Sequence, residues 1–231
     1  LPSMTREQAR TALGWHPQRY TLLQLGRIGP RSGIDNAIRS LALLRRQHGI
    51  DAQLVVVGGE SETSDPALSP EIGRLAAIAD TFGVREHVHF TGRHGRDHLS
   101  YLYHAADVLV VPQGHEPFGV TPVEAMACGV PVVGVRDGGR AVVDRVTGLL
   151  VPPHDPASLA AALAELGHSP ALRATLGRAG QRRARSTYTW KRVARSIAEV
   201  YDRATPRLSG RSRAGLLPML PGAPALEAVG G

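Results

Sequence analysis

Two carboxylates with seven residues between them, Glu116 and Glu124, stand inside the stretch Gly114 to Gly129, which reads GHEPFGVTPVEAMACG. A short β-branched apolar run, Val108 to Val111, precedes the stretch, and its second half carries a helical pattern of Val120, Val123 and Ala127. That order predicts a buried strand ending at a loop of glycine and proline that turns sharply into a helix. The free amides of the helix start then face whatever lies above the sheet, and such amides bind anions. Carboxylates on either side accept hydrogen bonds from hydroxyls. The chemistry implied is the binding of a ligand that carries phosphate and hydroxyl groups together.

The elements that must position this stretch are legible as an alternation. Strands are predicted at Tyr20 to Leu25, Gln53 to Val57, His87 to Phe90, Asp107 to Val111, Val130 to Val135 and Gly148 to Val151. Between and after them, helical periodicity covers Ile34 to Gln47, Glu71 to Phe82, Asp97 to Ala105, Pro156 to Leu166, Ala171 to Arg185 and Trp190 to Ala204. The strands lack polar alternation, as burial on both faces requires, so the fold class is α/β, a doubly wound parallel sheet. Thr5 to Leu13 reads as a capped helix, with Gln8 three residues after Thr5 and Gly14 as its stop. We divide the chain into a lead-in over residues 1–19, a Rossmann-like domain over 20–204 and a disordered Pro/Gly/Arg-rich tail over 205–231.

Composition narrows the class. A chain of 231 residues, 42% hydrophobic and 20% charged, buries a sizeable core, and with 4% aromatics that core must be aliphatic. Cys128 is the one cysteine, so no internal disulfide forms, and its place on the helix after the motif marks a packing residue, not a nucleophile. No apolar run approaches a membrane span and LPSMTREQAR has no apolar signal segment, so a cytoplasmic chain is expected. The net charge of +7 concentrates between Arg173 and Arg213, where twelve basic residues face only Glu199 and Asp202. Without interleaved aromatics or a nucleic-acid motif, this segment is not a nucleic-acid site. A solvated basic helical face is the first reading, and peripheral attraction to an anionic membrane surface the second.

In an open parallel sheet, ligands bind beyond the carboxyl ends of the strands. The loops there are Gly26 to Gly33, Gly58 to Glu60, Thr91 to Arg93, Gln113 to Gly119 and Arg136 to Arg140, four of them with glycine beside a polar or charged residue. His87, His89, His94, His98 and His104 lack evident carboxylate partners, and no paired-aspartate motif occurs, so no metal is expected. A further reading, a dinucleotide-dependent oxidoreductase, shares this fold class but lacks a Gly-x-Gly-x-x-Gly turn after the first strand.

The segments GRIGPRSGID, LVVVGGE, VHFTGR, ADVLVVPQGHEPFGVTPVEAMACGVPVV and GGRAVVDRVTGLLVPPHDP together resemble the C-terminal, donor-binding domain of the family-four retaining glycosyltransferases of GT-B fold, over about residues 5–204. The most specific part is Glu116 to Glu124, which matches the family's Glu-x7-Glu motif. The resemblance implies a nucleoside diphosphate sugar as substrate and partner, no metal and no other cofactor. It implies that Glu116 contacts the donor sugar, that Phe118, Gly119 and Val120 offer backbone amides, that Glu124 accepts from the ribose and that Arg27, after Gly26, holds the diphosphate. Gly58 lets a ligand approach, and the base lies against Thr91, Gly92 and Arg93. Three departures stand out: Ser32, between Arg31 and Gly33, occupies the place of the family's lysine, the loop after Gly138 and Gly139 is about two residues short, and no acceptor-binding N-terminal half is present. The last implies a fragment or a separate polypeptide as partner. Together they also define an alternative, a non-catalytic, degenerate nucleotide-sugar-binding or scaffold module.

Overall fold

Thr5 opens the first helix as its spacing predicts: its hydroxyl accepts from the Gln8 amide while the Gln8 side chain accepts from the Thr5 amide, and Gly14 ends the helix at φ 66°. The computed structural model describes residues 4–59, 69–113, 119–136 and 140–204. In chain order these form α1 (Arg6–Leu13), β1 (Tyr20–Leu25), α2 (Ile34–His48), β2 (Ala52–Val57), α3 (Pro70–Thr81), β3 (Val88–Phe90), α4 (Arg96–Ala105), β4 (Val108–Val111), α5 (Val120–Ala127), β5 (Val132–Val135), β6 (Gly148–Val151), α6 (Pro156–His168), α7 (Pro170–Thr187) and α8 (Trp190–Ala204). The predicted tail, residues 205–231, lies outside the described residues.

The six strands make one parallel sheet in the order β3-β2-β1-β4-β5-β6. Tyr20 pairs with Ala52 and Leu22 with Val108, so β1 sits centrally and the chain reverses its direction of growth between β1 and β4. A reversal of strand order opens a crevice at the carboxyl ends there. One layer, with Leu22, Ile38, Leu41, Leu54, Leu75, Leu159 and Leu163 in its core, packs α2, α3 and α6 on one face. The other face carries Leu23, Leu102, Tyr103, Leu109, Ala125 and Met126 under α1, α4 and α5. Helix α7 wraps the sheet edge, contributing Leu176 to the first layer and Ala184 to the second.

The lead-in is built into this unit by a buried ion pair. Arg10, 2% exposed, donates from Nη2 to Asp107 Oδ2 at 2.6 Å and from Nε to the Ala105 carbonyl at 2.9 Å. Residues up to Thr189 form one unit, and Trp190 begins a second. Within that second unit α8 places Trp190, Val193, Ile197, Val200 and Tyr201 along one stripe at helical spacing. Among the described residues no helix is long and apolar enough to cross a membrane.

One strand start differs from expectation. His87 belongs to a 3-10 turn, Arg85–His87, closed by its amide donating to the Val84 carbonyl at 2.9 Å, so only His89 of that pair lies on β3. Alternating apolar and polar residues look the same in sequence whether the first of them turns or extends. Desolvation lowers the pKa of both imidazoles.

Cys128, where α5 ends, is half-buried, and burial together with the Glu124 carboxylate one turn away pushes its thiol up to about 11. The thiolate is the reactive form, so at neutral pH the folded chain presents about 100-fold less of it than a free cysteine does. Alkylation by iodoacetamide at pH 7.5 is accordingly expected to be slower than in the urea-unfolded chain by at least an order of magnitude. Equal rates would refute this.

Candidate functional site

Three of the glycine loops are stitched together by main-chain hydrogen bonds at the carboxyl edge of the sheet. The Gly26 amide donates to the Val57 carbonyl at 3.0 Å, Gly58 to Gly92 at 2.9 Å and Thr91 to Val56 at 3.1 Å. Gly58 has φ 148°, and a Cβ there would stand 1.9 Å from the Gly26 carbonyl oxygen, so only glycine allows the loops after β1 and β2 to touch. Gly33 ties the β1 loop in the other direction. At φ 69° it lies where a Cβ would meet the Pro112 carbonyl oxygen at 2.6 Å, which brings the end of that loop onto the segment after β4.

Above these loops a cavity of about 630 Å³ is lined by Gly26, Arg27, Ile28, Gly58, Arg93 and His94, among others, with Leu25, Val57 and Leu99 behind them. This volume lies in the range of small-ligand sites. Arg27 and Arg93 are exposed cations on its wall, and Ile28 and Leu99 supply apolar surface. Thr91 Oγ1 and Gln24 Oε1 are buried at the same edge with no hydrogen-bond partner among the described residues. Such atoms are completed by a water or a ligand group.

The second half of the motif opens a helix. Gly119 is the N-cap of α5 in the left-handed conformation, φ 60°, and the Val123 amide donates to its carbonyl at 3.1 Å. Pro122 has no amide, so Val120 and Thr121 supply the first-turn donors that have no intrahelical acceptor. Glu124 stands on the next turn, half-buried, and accepts from the Tyr103 hydroxyl at 2.8 Å. Ala141 packs against this helix start, because a Cβ on Gly119 would lie 3.2 Å from that of Ala141. Arg183 of α7 holds Ala141, donating from Nε to its carbonyl at 3.0 Å.

Of the residues singled out in the sequence, the cavity brings together Gly26, Arg27, Gly58 and Arg93, with Thr91 and Gly92 in the loop beneath. Gly119, Val120 and Glu124 form a separate group on α5, and none of them lines the cavity. Ser32 is 6% exposed and its amide closes a turn onto the Gly29 carbonyl at 2.9 Å, while Arg31 beside it is exposed; neither lines the cavity. Glu116 and Phe118 lie outside the described residues, as do Gly138 and Gly139. Sequence reasoning missed Ile28, His94, Leu99 and Tyr103. Leu99 and Tyr103 carried only a core-helix signal, and Ile28 and His94 are loop neighbours of residues that were chosen. Among the described residues no three His, Cys, Asp or Glu side chains are grouped as metal ligands would be.

Comparison with known proteins agrees with this fold. The family model for glycosyl transferases group 1 matches residues 5–183. The D-inositol 3-phosphate glycosyltransferase of Saccharomonospora viridis is 36% identical over 209 residues, which make up 89% of this chain and 48% of that protein. Among solved structures, sucrose-phosphate synthase from Thermosynechococcus elongatus superposes with a TM-score of 0.74 at 34% identity, covering 84% of this chain and 48% of that one. Anabaena Alr3699/HepE, solved in complex with UDP, gives a TM-score of 0.74 at 25% identity over 86% of this chain and 52% of its own. The chain thus spans about half the length of these relatives.

Proposed function

Because the chain belongs to the glycosyl transferases group 1 family, a Rossmann-like half of a GT-B architecture, we propose that it binds a nucleoside diphosphate sugar and serves hexose transfer, with retention, to an acceptor held by a further half. The observation that carries this reading is the cavity at the carboxyl edge, where Arg27 and Arg93 stand over glycine loops, together with the first-turn amides of α5, the helix that follows β4. Arg27 and the amides of Val120 and Thr121 would neutralise the diphosphate, Glu124 would accept from the ribose and the Thr91 to Arg93 loop would take the base. Glu116 and Phe118 keep the sugar-contacting roles that the motif implies. No protein nucleophile is invoked. As the bond between the sugar's anomeric carbon and the diphosphate oxygen breaks, the acceptor oxygen bonds to that carbon on the same face and its proton passes to the departing phosphate. Donors fixed in advance around the developing charge are worth about 3 to 4 kcal/mol each.

The UDP complex of the Anabaena protein supports a uridine donor among the possible bases. Isothermal titration of the folded chain with UDP, GDP and ADP is expected to show saturable binding of at least one, unchanged by EDTA. Arg27→Ala should weaken it by about 10- to 100-fold, the loss of a hydrogen bond to a charged group. No binding of any of the three by the folded wild type would overturn the reading.

A further inference from the structure

A phenol hydroxyl buried among aliphatic side chains must find a partner, and that of Tyr103 donates to a carboxylate of the candidate site. Tyr103 is 2% exposed, on the last turn of α4, in the same layer as Leu109, Ala125 and Met126. Its hydroxyl donates to Glu124 Oε2 at 2.8 Å. Glutamate has three side-chain torsions, and on an open helix surface it samples many rotamers that a ligand must then restrict. Here a rigid donor rooted in the core selects one arrangement. The bond also uses only one of the carboxylate's lone-pair sites, so Oε1 stays available to a ligand hydroxyl. A bond to an ionised acceptor is stronger than a neutral one, so the restraint acts on the charged form that accepts from hydroxyls.

Resting on the nucleotide-sugar reading above, we propose that Tyr103 is a positioning residue that holds the Glu124 carboxylate ready for the ribose hydroxyls of the donor. The effect proposed here passes through Glu124, so it should vanish when Glu124 is altered, which a packing role would not. Tyr103→Phe keeps the ring and removes only the hydroxyl, so fold and core are retained.

The test titrates wild type, Tyr103→Phe, Glu124→Gln and the double variant with UDP, GDP or ADP, whichever the wild type binds most tightly, and with its 2′,3′-dideoxy counterpart. Tyr103→Phe is expected to weaken ribonucleotide binding about 3- to 10-fold, as loss of one preorganising hydrogen bond does. It should leave dideoxynucleotide binding unchanged and add nothing in the Glu124→Gln background. Equal losses for both nucleotides, additive losses in the double variant, or unaltered ribonucleotide affinity would each overturn the inference while leaving the parent reading intact. Absence of nucleotide binding by the folded wild type would overturn the parent reading and this inference with it.

Discussion

Asp107→Ala is expected to destabilise the folded chain by about 3–5 kcal/mol, the cost of leaving one partner of a buried ion pair uncompensated. Asp107 accepts from Arg10 Nη2 at 2.6 Å, from the Thr21 amide at 2.8 Å and from Arg6. Removing it leaves a guanidinium that is 2% exposed and a buried amide without their acceptor. Arg10 cannot turn to water, because its other nitrogens are held by the Ala105 carbonyl at 2.9 Å and the Pro17 carbonyl at 2.6 Å. Urea denaturation of the chain should show a lower midpoint at an unchanged slope. A loss under about 1 kcal/mol would place the pair with exposed surface bridges and refute its role as the lock on α1. Asp107 lies just before β4, at the edge of the sheet opposite the cavity, so nucleotide affinity of the folded variant is expected to stay within about twofold.

Gly58→Ala is the second large effect, and it falls on the site as well as on stability. A Cβ at φ 148° would stand 1.9 Å from the Gly26 carbonyl oxygen, which is backbone and cannot swing aside. A residue held in a glycine-only conformation costs about 1–3 kcal/mol, and forcing atoms into filled space a further 1–3 kcal/mol, for a total near 3 or 4. The loop after β1 must then move, and Arg27 moves with it. Nucleotide binding measured by titration should fall at least tenfold in a variant that still folds at low temperature. Gly29→Ala, where a Cβ meets nothing within 4 Å, serves as the control and should bind within about twofold of wild type. If Gly58→Ala bound as tightly as Gly29→Ala, the close approach of the two loops would be irrelevant to the site.

Much of the site was legible because its parts are local. Strand, glycine and charged residue recur at each carboxyl end, and Gly26, Arg27, Gly58 and Arg93 follow from that punctuation; the structure places all four on one cavity. The helix start at Gly119 was equally legible, since a glycine before a short apolar helix is a local signal. Tyr103 was not, because its neighbours in sequence show only a buried helix face and the residue it meets, Glu124, lies 21 positions away on another helix. Arg10 was hidden for the same reason. An arginine in a short polar helix reads as solvated, and only its packing against Asp107, 97 positions on, reveals a buried charge.

The buried Ser32 shows the limit from the other side. Its type was noted as a departure, but the sequence could not say that the serine closes a turn inside the loop while Arg31 faces outward. By itself the sequence determined the class of fold and the parallel character of the sheet, because periodicity, strand burial and turn chemistry act over a few residues. Only the tertiary structure decided which loops meet, at Gly58 with Gly26 and Gly33 with Pro112, and which distant side chains hold the Glu116 to Glu124 stretch at its described end, through Tyr103. Such contacts depend on distances between elements, and those are set by how the whole core packs.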